Sequence, residues 1–309
     1  MEAYLLNLGV LIAIYAILAI TLNFIMGYAG IFSLAHAVFF GIGAYVAAVV
    51  SMHVSASIFV TMPAAMLAAA VLSLALALPA LRVRGEYFVA ASLGLQMFAV
   101  TVFSEWKSFT GGLGGLVGIP AVKIFGQEVY RPASFFPIAL AVLAAVVAIT
   151  QILVRSSFGR SLTAIRDSES AAEGFGKNVP LIKTISVVIS AALAATAGVL
   201  YAGYMSFINV ESFTLDNSVL IMAMVIIGGT GTSWGPVVGA ALLLLLPGLL
   251  SYLSFLPQAD IGAIQQIIYG LGMAALMIFR PGGLVRRGSP QRKARPKAAP
   301  TRAKRGAVQ

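Results

Sequence analysis

Residues able to do covalent chemistry are scarce. Cysteine is absent from the 309 residues, and only two histidines occur, His36 and His53. A thiolate nucleophile, a disulfide and a thiolate metal site are excluded, and a histidine metal cluster lacks ligands. No Gly-x-x-x-x-Gly-Lys-Ser/Thr loop is present: Gly174-Phe-Gly-Lys-Asn178 has neither the spacing nor the following hydroxyl. The chain has no loop to cradle a nucleotide phosphate, so no ATP hydrolysis and no bound cofactor are expected of it. No paired carboxylates or nucleophile–base pair fall inside an apolar stretch, which makes an enzyme the least favoured class. Acids sit in loops or at the ends of apolar runs, Glu86 beside Arg84 among them. A proton-driven pump needs an ionisable group at membrane depth, and His36 is the one candidate. It is either a substrate or gating contact or a hydrogen-bonded structural histidine. The polar residues embedded in apolar sequence, and hence the candidate lining of a path, are Asn23, Ser33, His36, Ser92, Gln96, Asn217, Ser218, Thr230 and Ser233.

These residues lie in a chain that is 60% hydrophobic and 10% charged, with a mean hydropathy of +0.97. Soluble domains carry about 25% charged residues, so thirty charges could not clothe a soluble surface of this size. The expected fold is an all-α polytopic transmembrane helical bundle. Runs of about 20 apolar residues, enough to cross a hydrocarbon core of about 30 Å, occur near 3–26, 30–50, 57–81, 86–104, 134–154, 181–205, 216–230, 234–256 and 261–280. That is about nine spans (eight to ten). The seventh is short and runs into Gly228-Gly229-Thr230-Gly231, which marks a broken or re-entrant segment. Glycines at 27, 30, 41 and 43, and again at 228, 229, 231, 235 and 239, either allow close helix packing or break helices to expose backbone dipoles. The patterns Gly30-x-x-Ser33 with Gly43-Ala44 and Gly231-x-Ser233 with Gly239-Ala240 form a loose internal repeat.

Charge sets the expected orientation. With the C-terminus inside and nine alternating spans, 17 Lys and Arg residues fall inside and only Lys107, Lys123 and Arg131 outside. This bias places the N-terminus outside. No basic residue precedes Arg82, so the first apolar run reads as a retained span rather than a cleaved signal peptide. Ten of the twenty basic residues lie from Arg280 onward. The net charge of +10 is therefore local, and nucleic-acid binding is a poor reading of it. Residues 1–285 form the expected permease domain, and 286–309 a disordered basic cytoplasmic tail anchored on anionic membrane lipid.

Two extramembrane segments stand out. The outer loop 105–133 carries Thr110-Gly-Gly-Leu-Gly-Gly-Leu-Val-Gly-Ile-Pro120, too long and glycine-rich for a plain connector. The inner loop 155–183 predicts one short amphipathic helix over Ser161–Phe175, with Leu162, Ile165, Ala172 and Phe175 on one face. Gly174 and Gly176 end it, and Pro180 bars its continuation. Such a helix either lies on the membrane surface or fits a groove on a cytoplasmic partner.

The run from Phe158 through Ser161-Leu-Thr-Ala-Ile-Arg-Asp-Ser-Glu-Ser-Ala-Ala-Glu-Gly-Phe175 to Val179 resembles the coupling loop of branched-chain amino acid ABC permeases of the LivM kind. Three further blocks are similar to that family in the same order: Asn23-Phe-Ile-Met-Gly-Tyr-Ala-Gly to Tyr45, Leu81-Arg-Val-Arg-Gly-Glu-Tyr-Phe88 with Thr110 to Pro120, and Ile227-Gly-Gly-Thr-Gly-Thr-Ser-Trp-Gly-Pro to Ala240. The resemblance spans roughly 5–285. It implies a membrane subunit of an ATP-driven importer for leucine, isoleucine and valine in a bacterial inner membrane. The implied partners are a homologous permease, two cytoplasmic ATP-binding subunits that use ATP and Mg, and a periplasmic substrate-binding protein. Residues implied to couple to the ATPases are Arg160, Leu162, Ile165, Arg166, Glu169, Ala171, Ala172, Glu173 and Gly176. The binding protein would dock near 105–133. The rival cargo is urea or a short-chain amide, and the rival class is a self-sufficient channel or secondary carrier.

Overall fold

The computed structural model describes residues 2–81, 86–124 and 126–251, and beyond them 264, 267, 268, 270, 271, 274, 275, 284 and 285. Arg82, Arg84, most of the expected last span and the basic tail lie outside the described residues. In chain order the helices are α1 (Glu2–Asn23), α2 (His36–His53), α3 (Ile58–Leu81), α4 (Glu86–Glu105), α5 (Lys107–Thr110), α6 (Pro132–Arg155), α7 (Ser157–Asp167), α8 (Glu169–Gly174), α9 (Val179–Met205), α10 (Leu215–Gly228) and α11 (Gly235–Ser251). The all-α expectation holds, with four two-residue strands confined to connecting segments: β1 (Leu116–Val117), β2 (Lys123–Ile124), β3 (Gln127–Glu128) and β4 (Phe207–Ile208).

Five described segments are long and apolar enough to cross a membrane: Tyr4–Tyr28, His36–His53, Tyr87–Glu105, Pro132–Arg155 and Val179–Met205. Further apolar stretches accompany them among the described residues: Ile58–Leu74 within the 24-residue α3, Leu215–Gly228, and Gly235–Pro247 within α11. The second expected span was to start at 30, but its helix begins at His36; residues 30–35 run without regular structure. Gly30 sits at φ +71°, a left-handed conformation that stops a helix and that glycine adopts freely.

Helix α9 is the central element, with 72% of its apolar window buried against 22% for α4 and α6 at the rim. It packs on α2 and α3, while α1 packs on α6, α9, α10 and α11. Small residues bring α2 and α9 to backbone contact. A Cβ at Gly43 would lie 2.4 Å from the Ala195 carbonyl oxygen, and one at Gly198 2.4 Å from that of Phe40. Around this contact Phe40, Tyr45, Phe103, Tyr201 and Phe213 stack edge-on or tilted, with centroids 5.0–6.3 Å apart.

The segment 105–133 is folded against the bundle rather than looping free. β1 pairs antiparallel with β4, and β2 with β3. The Ile119 amide donates to the Ser206 carbonyl (3.2 Å) and the Lys123 amide to Ala56 (2.9 Å). In the β2–β3 hairpin Tyr130 donates to the Glu128 carboxylate, and Lys123 pairs with it at 3.0 Å. The Tyr130 hydroxyl first, and Lys123 second, hold the Glu128 carboxyl below its ordinary pKa.

Candidate functional site: two facing helix breaks and a cytoplasmic hairpin

The two glycine-rich blocks form two helix interruptions that meet. The first follows α1, where Phe24–Tyr28 makes a π-helical turn before the irregular run to His36. The second is the turn 229–234 between α10 and α11, with Gly229 at φ +119° and Gly231 at φ +71°. Most of both runs is buried, while Gly30, Phe32, Ser233 and Trp234 are exposed; a membrane tolerates such backbone only where protein or water covers it. Asn23, 3% exposed, bridges them. Its Oδ1 accepts the Gly231 amide (2.8 Å) and its Nδ2 donates to the Thr232 carbonyl (2.8 Å). Gly27 is pressed on the same turn, since a Cβ there would sit 2.4 Å from the Gly231 nitrogen. The amides of Leu284 and Val285 donate to Ile227 and Gly228 at the end of α10.

The remaining candidate path residues fasten neighbouring elements. His36 Nε2 lies 2.9 Å from Thr21 Oγ1. The Thr21 hydroxyl donates to the Ile17 and Leu18 carbonyls, so it accepts from His36. Ser190 donates to the Thr21 carbonyl (2.7 Å), drawing α9 into the same knot. Ser218, fully buried, donates to Gln96 Oε1 (3.1 Å) and accepts the Ala37 amide (3.0 Å). Gln96 Nε2 in turn donates to the Phe213 carbonyl (2.8 Å). Ser92 accepts the Leu34 amide (3.0 Å), and Ser33 accepts that of Ala35 (3.3 Å). Asn217 accepts from Tyr15 and donates to the Ser212 carbonyl. Thr230 is half-buried in the second turn, and Ser233 beside it is exposed. Asn23, Tyr28, Thr150, Gln151, Thr232 and Ser233 border a cavity of about 20 Å³, room for a single water.

Sequence reasoning missed Thr232 and Thr21. Thr232 holds the second turn, donating to Gly229 (2.7 Å) and accepting the Gly235 amide (3.1 Å). Its signal was a hydroxyl ahead of the Gly235-Pro236 helix start.

The expected single helix over 161–175 is two helices, α7 and α8, broken at extended Ser168 (φ −164°, ψ 112°). The break comes from Ser168 itself, whose hydroxyl caps α8 by accepting the Ala171 amide (3.3 Å). Ser156 caps α7 and Asn178 caps α9 in the same way. Leu162, Ile165 and Ala172 are buried against the bundle and α9. Phe175, expected on that face, is 86% exposed because it caps the C-terminus of α8, one residue past its last turn, and leaves the helical period there. Glu169 pairs with Lys183 on α9. Arg166 turns inward, its Nη1 donating to the Gly27 carbonyl (2.8 Å). Arg160, Ala171, Glu173, Phe175 and Gly176 are exposed, as are Asp167, Ser170, Gly174 and Lys177, and Arg166 keeps 34% of its side chain exposed beside its inward bond.

Residues 4–279 match the family described as branched-chain amino acid transport system / permease component. The chain is 30% identical to the high-affinity branched-chain amino acid transport system permease protein LivM of Escherichia coli K12, over 95% of this chain and 72% of that protein. It is 29% identical to LivM of Salmonella typhimurium LT2, over 93% and 71%. A probable LivM of Methanocaldococcus jannaschii is 25% identical over 67% and 62%. No solved structure matches the chain. A multi-pass bundle with two facing helix breaks, matched along nearly its whole length, belongs to the branched-chain amino acid transport permease family.

Proposed function

We propose that the chain is the membrane-spanning subunit of an ATP-driven importer of leucine, isoleucine and valine, set in a bacterial inner membrane with the α7–α8 hairpin inside. The family match over residues 4–279 carries this reading. The translocation path forms with a homologous permease subunit, and two cytoplasmic ATP-binding subunits, which use ATP and Mg, grip the exposed face of the hairpin. A periplasmic substrate-binding protein docks near the folded 105–133 segment. The side chains Asn23, Gln96 and Ser218 are engaged within the bundle, which supports a path between two subunits rather than through one.

Uptake of labelled leucine, in cells lacking other leucine carriers, is compared with and without this gene. Gene-dependent uptake blocked by unlabelled valine and indifferent to urea supports the reading. Competition by urea instead moves the cargo to amides. Gene-dependent uptake that persists without any ATP-binding subunit makes the chain a self-sufficient carrier and refutes the proposal.

A further inference from the structure

Helix α7 is joined to the interior of the bundle by one charged side chain. Arg166 donates from Nη1 to the carbonyl of Gly27 (2.8 Å), 139 positions earlier in the chain. That carbonyl belongs to the π turn at the end of α1, where helical C=O groups run out of intrahelical partners. The guanidinium is held in its plane by Asp167, whose Oδ1 accepts from Nε (3.2 Å) and Nη2 (3.0 Å). Its stem leans on the first break as well: a Cβ at Gly30 would meet Arg166 Cγ at 2.9 Å. Below Gly27 the contact continues without a gap. Gly27 is pressed on Gly231, and Asn23, one helical turn earlier, holds Gly231 and Thr232.

We infer that Arg166 is a positioning residue that passes displacement of the cytoplasmic hairpin to both helix breaks, through Gly27 and then Gly231, and is not part of the surface that grips a partner. The inference rests on the proposed docking of ATP-binding subunits at the hairpin. A planar, always-charged fork suits this duty, since it bonds a carbonyl and a carboxylate at once. A lysine reaches one of the two with a single flexible ammonium. When the exposed face of α7 and α8 moves, the Gly27 carbonyl moves with it, and so do two turns whose glycines accept new backbone angles.

The test uses the assembled transporter in liposomes, with labelled leucine as cargo and phosphate release as the readout of hydrolysis. Arg166→Ala is expected to keep the ATP-binding subunits bound and hydrolysing, while leucine imported per ATP falls about 5- to 20-fold, the span of a modest coupling between sites. Arg166→Lys is expected to restore part of that ratio. Gly30→Ala, which crowds the Arg166 stem, is expected to reproduce the loss. An unchanged ratio in Arg166→Ala overturns the inference. Loss of the ATP-binding subunits from Arg166→Ala overturns it too, because the residue then belongs to the docking surface. If the unaltered assembly imports no leucine, the proposed function fails, and hydrogen exchange on the purified chain in micelles decides the inference. Faster exchange at 24–34 and 228–235 in Arg166→Ala supports it, and unchanged exchange there refutes it.

Discussion

Asn23 and Gly231, 208 positions apart, are joined by a 2.8 Å hydrogen bond from the Gly231 amide to the Asn23 Oδ1. The same side chain donates to the Thr232 carbonyl, so one amide satisfies a buried donor and a buried acceptor of an irregular turn.

Asn23→Ala leaves both groups bare, at a cost of about 1–3 kcal/mol for each. Thermal unfolding in detergent, read from the fluorescence of Trp106 and Trp234, is expected to shift down by several degrees. An unshifted transition would show that the turn does not depend on Asn23.

Ser218→Ala orphans the Ala37 amide and Gln96 Oε1 together. A lower unfolding temperature is expected, by about 1–3 kcal/mol of stability, with the leucine KM of the surviving protein unchanged. A raised KM at unchanged stability would instead make Ser218 a cargo contact.

Phe175→Asp is expected to leave the unfolding temperature within the range of surface substitutions, about 0.5 kcal/mol either way, because Phe175 is 86% exposed. Under the proposed function it lowers co-purification of the ATP-binding subunits. Full retention of those subunits by Phe175→Asp would remove Phe175 from the docking surface.

The Glu128 carboxyl titrates below its ordinary range because Tyr130 and then Lys123 stabilise its charged form. A group with a depressed folded-state pKa stabilises above the unfolded pKa, and that stabilisation disappears as pH falls through the folded value. The β2–β3 hairpin is therefore expected to hold at neutral pH and loosen on acidification. The Lys123 amide resonance in ¹⁵N-lysine-labelled protein should report this, and Glu128→Gln should abolish the titration. A titration that survives in the Gln variant would assign it to another group.

Apolar run length was enough to read an all-α bundle of apolar helices, because each such run is a local property of about 20 residues. Gly228-Gly229-Thr230-Gly231 likewise announced the end of α10. The start of α2 was misplaced because hydropathy averages over a window and does not register a single left-handed glycine at position 30. Phe175 falls off the expected face because α8 ends at Gly174, so the helical period that places Ala172 does not reach it. The Asn23–Gly231 and Arg166–Gly27 bonds join residues more than 130 positions apart, and no local pattern encodes such pairs. Asn23 was legible as a polar residue in an apolar run, but not the turn that it holds.

Helices α2 and α9 meet backbone to backbone at Gly43 and Gly198. Packed helices shear by small sliding of their side-chain layers, and at Gly43 and Gly198 backbone meets backbone with no side chain between to take up a slide. The pair must travel as one slab. Relative motion is left to the joints at Gly30 and Gly229–Gly231, whose left-handed backbones mark where the chain bends. Under the proposed function, a change of access in this subunit is expected as a pivot about those joints rather than a slide along the helix axes.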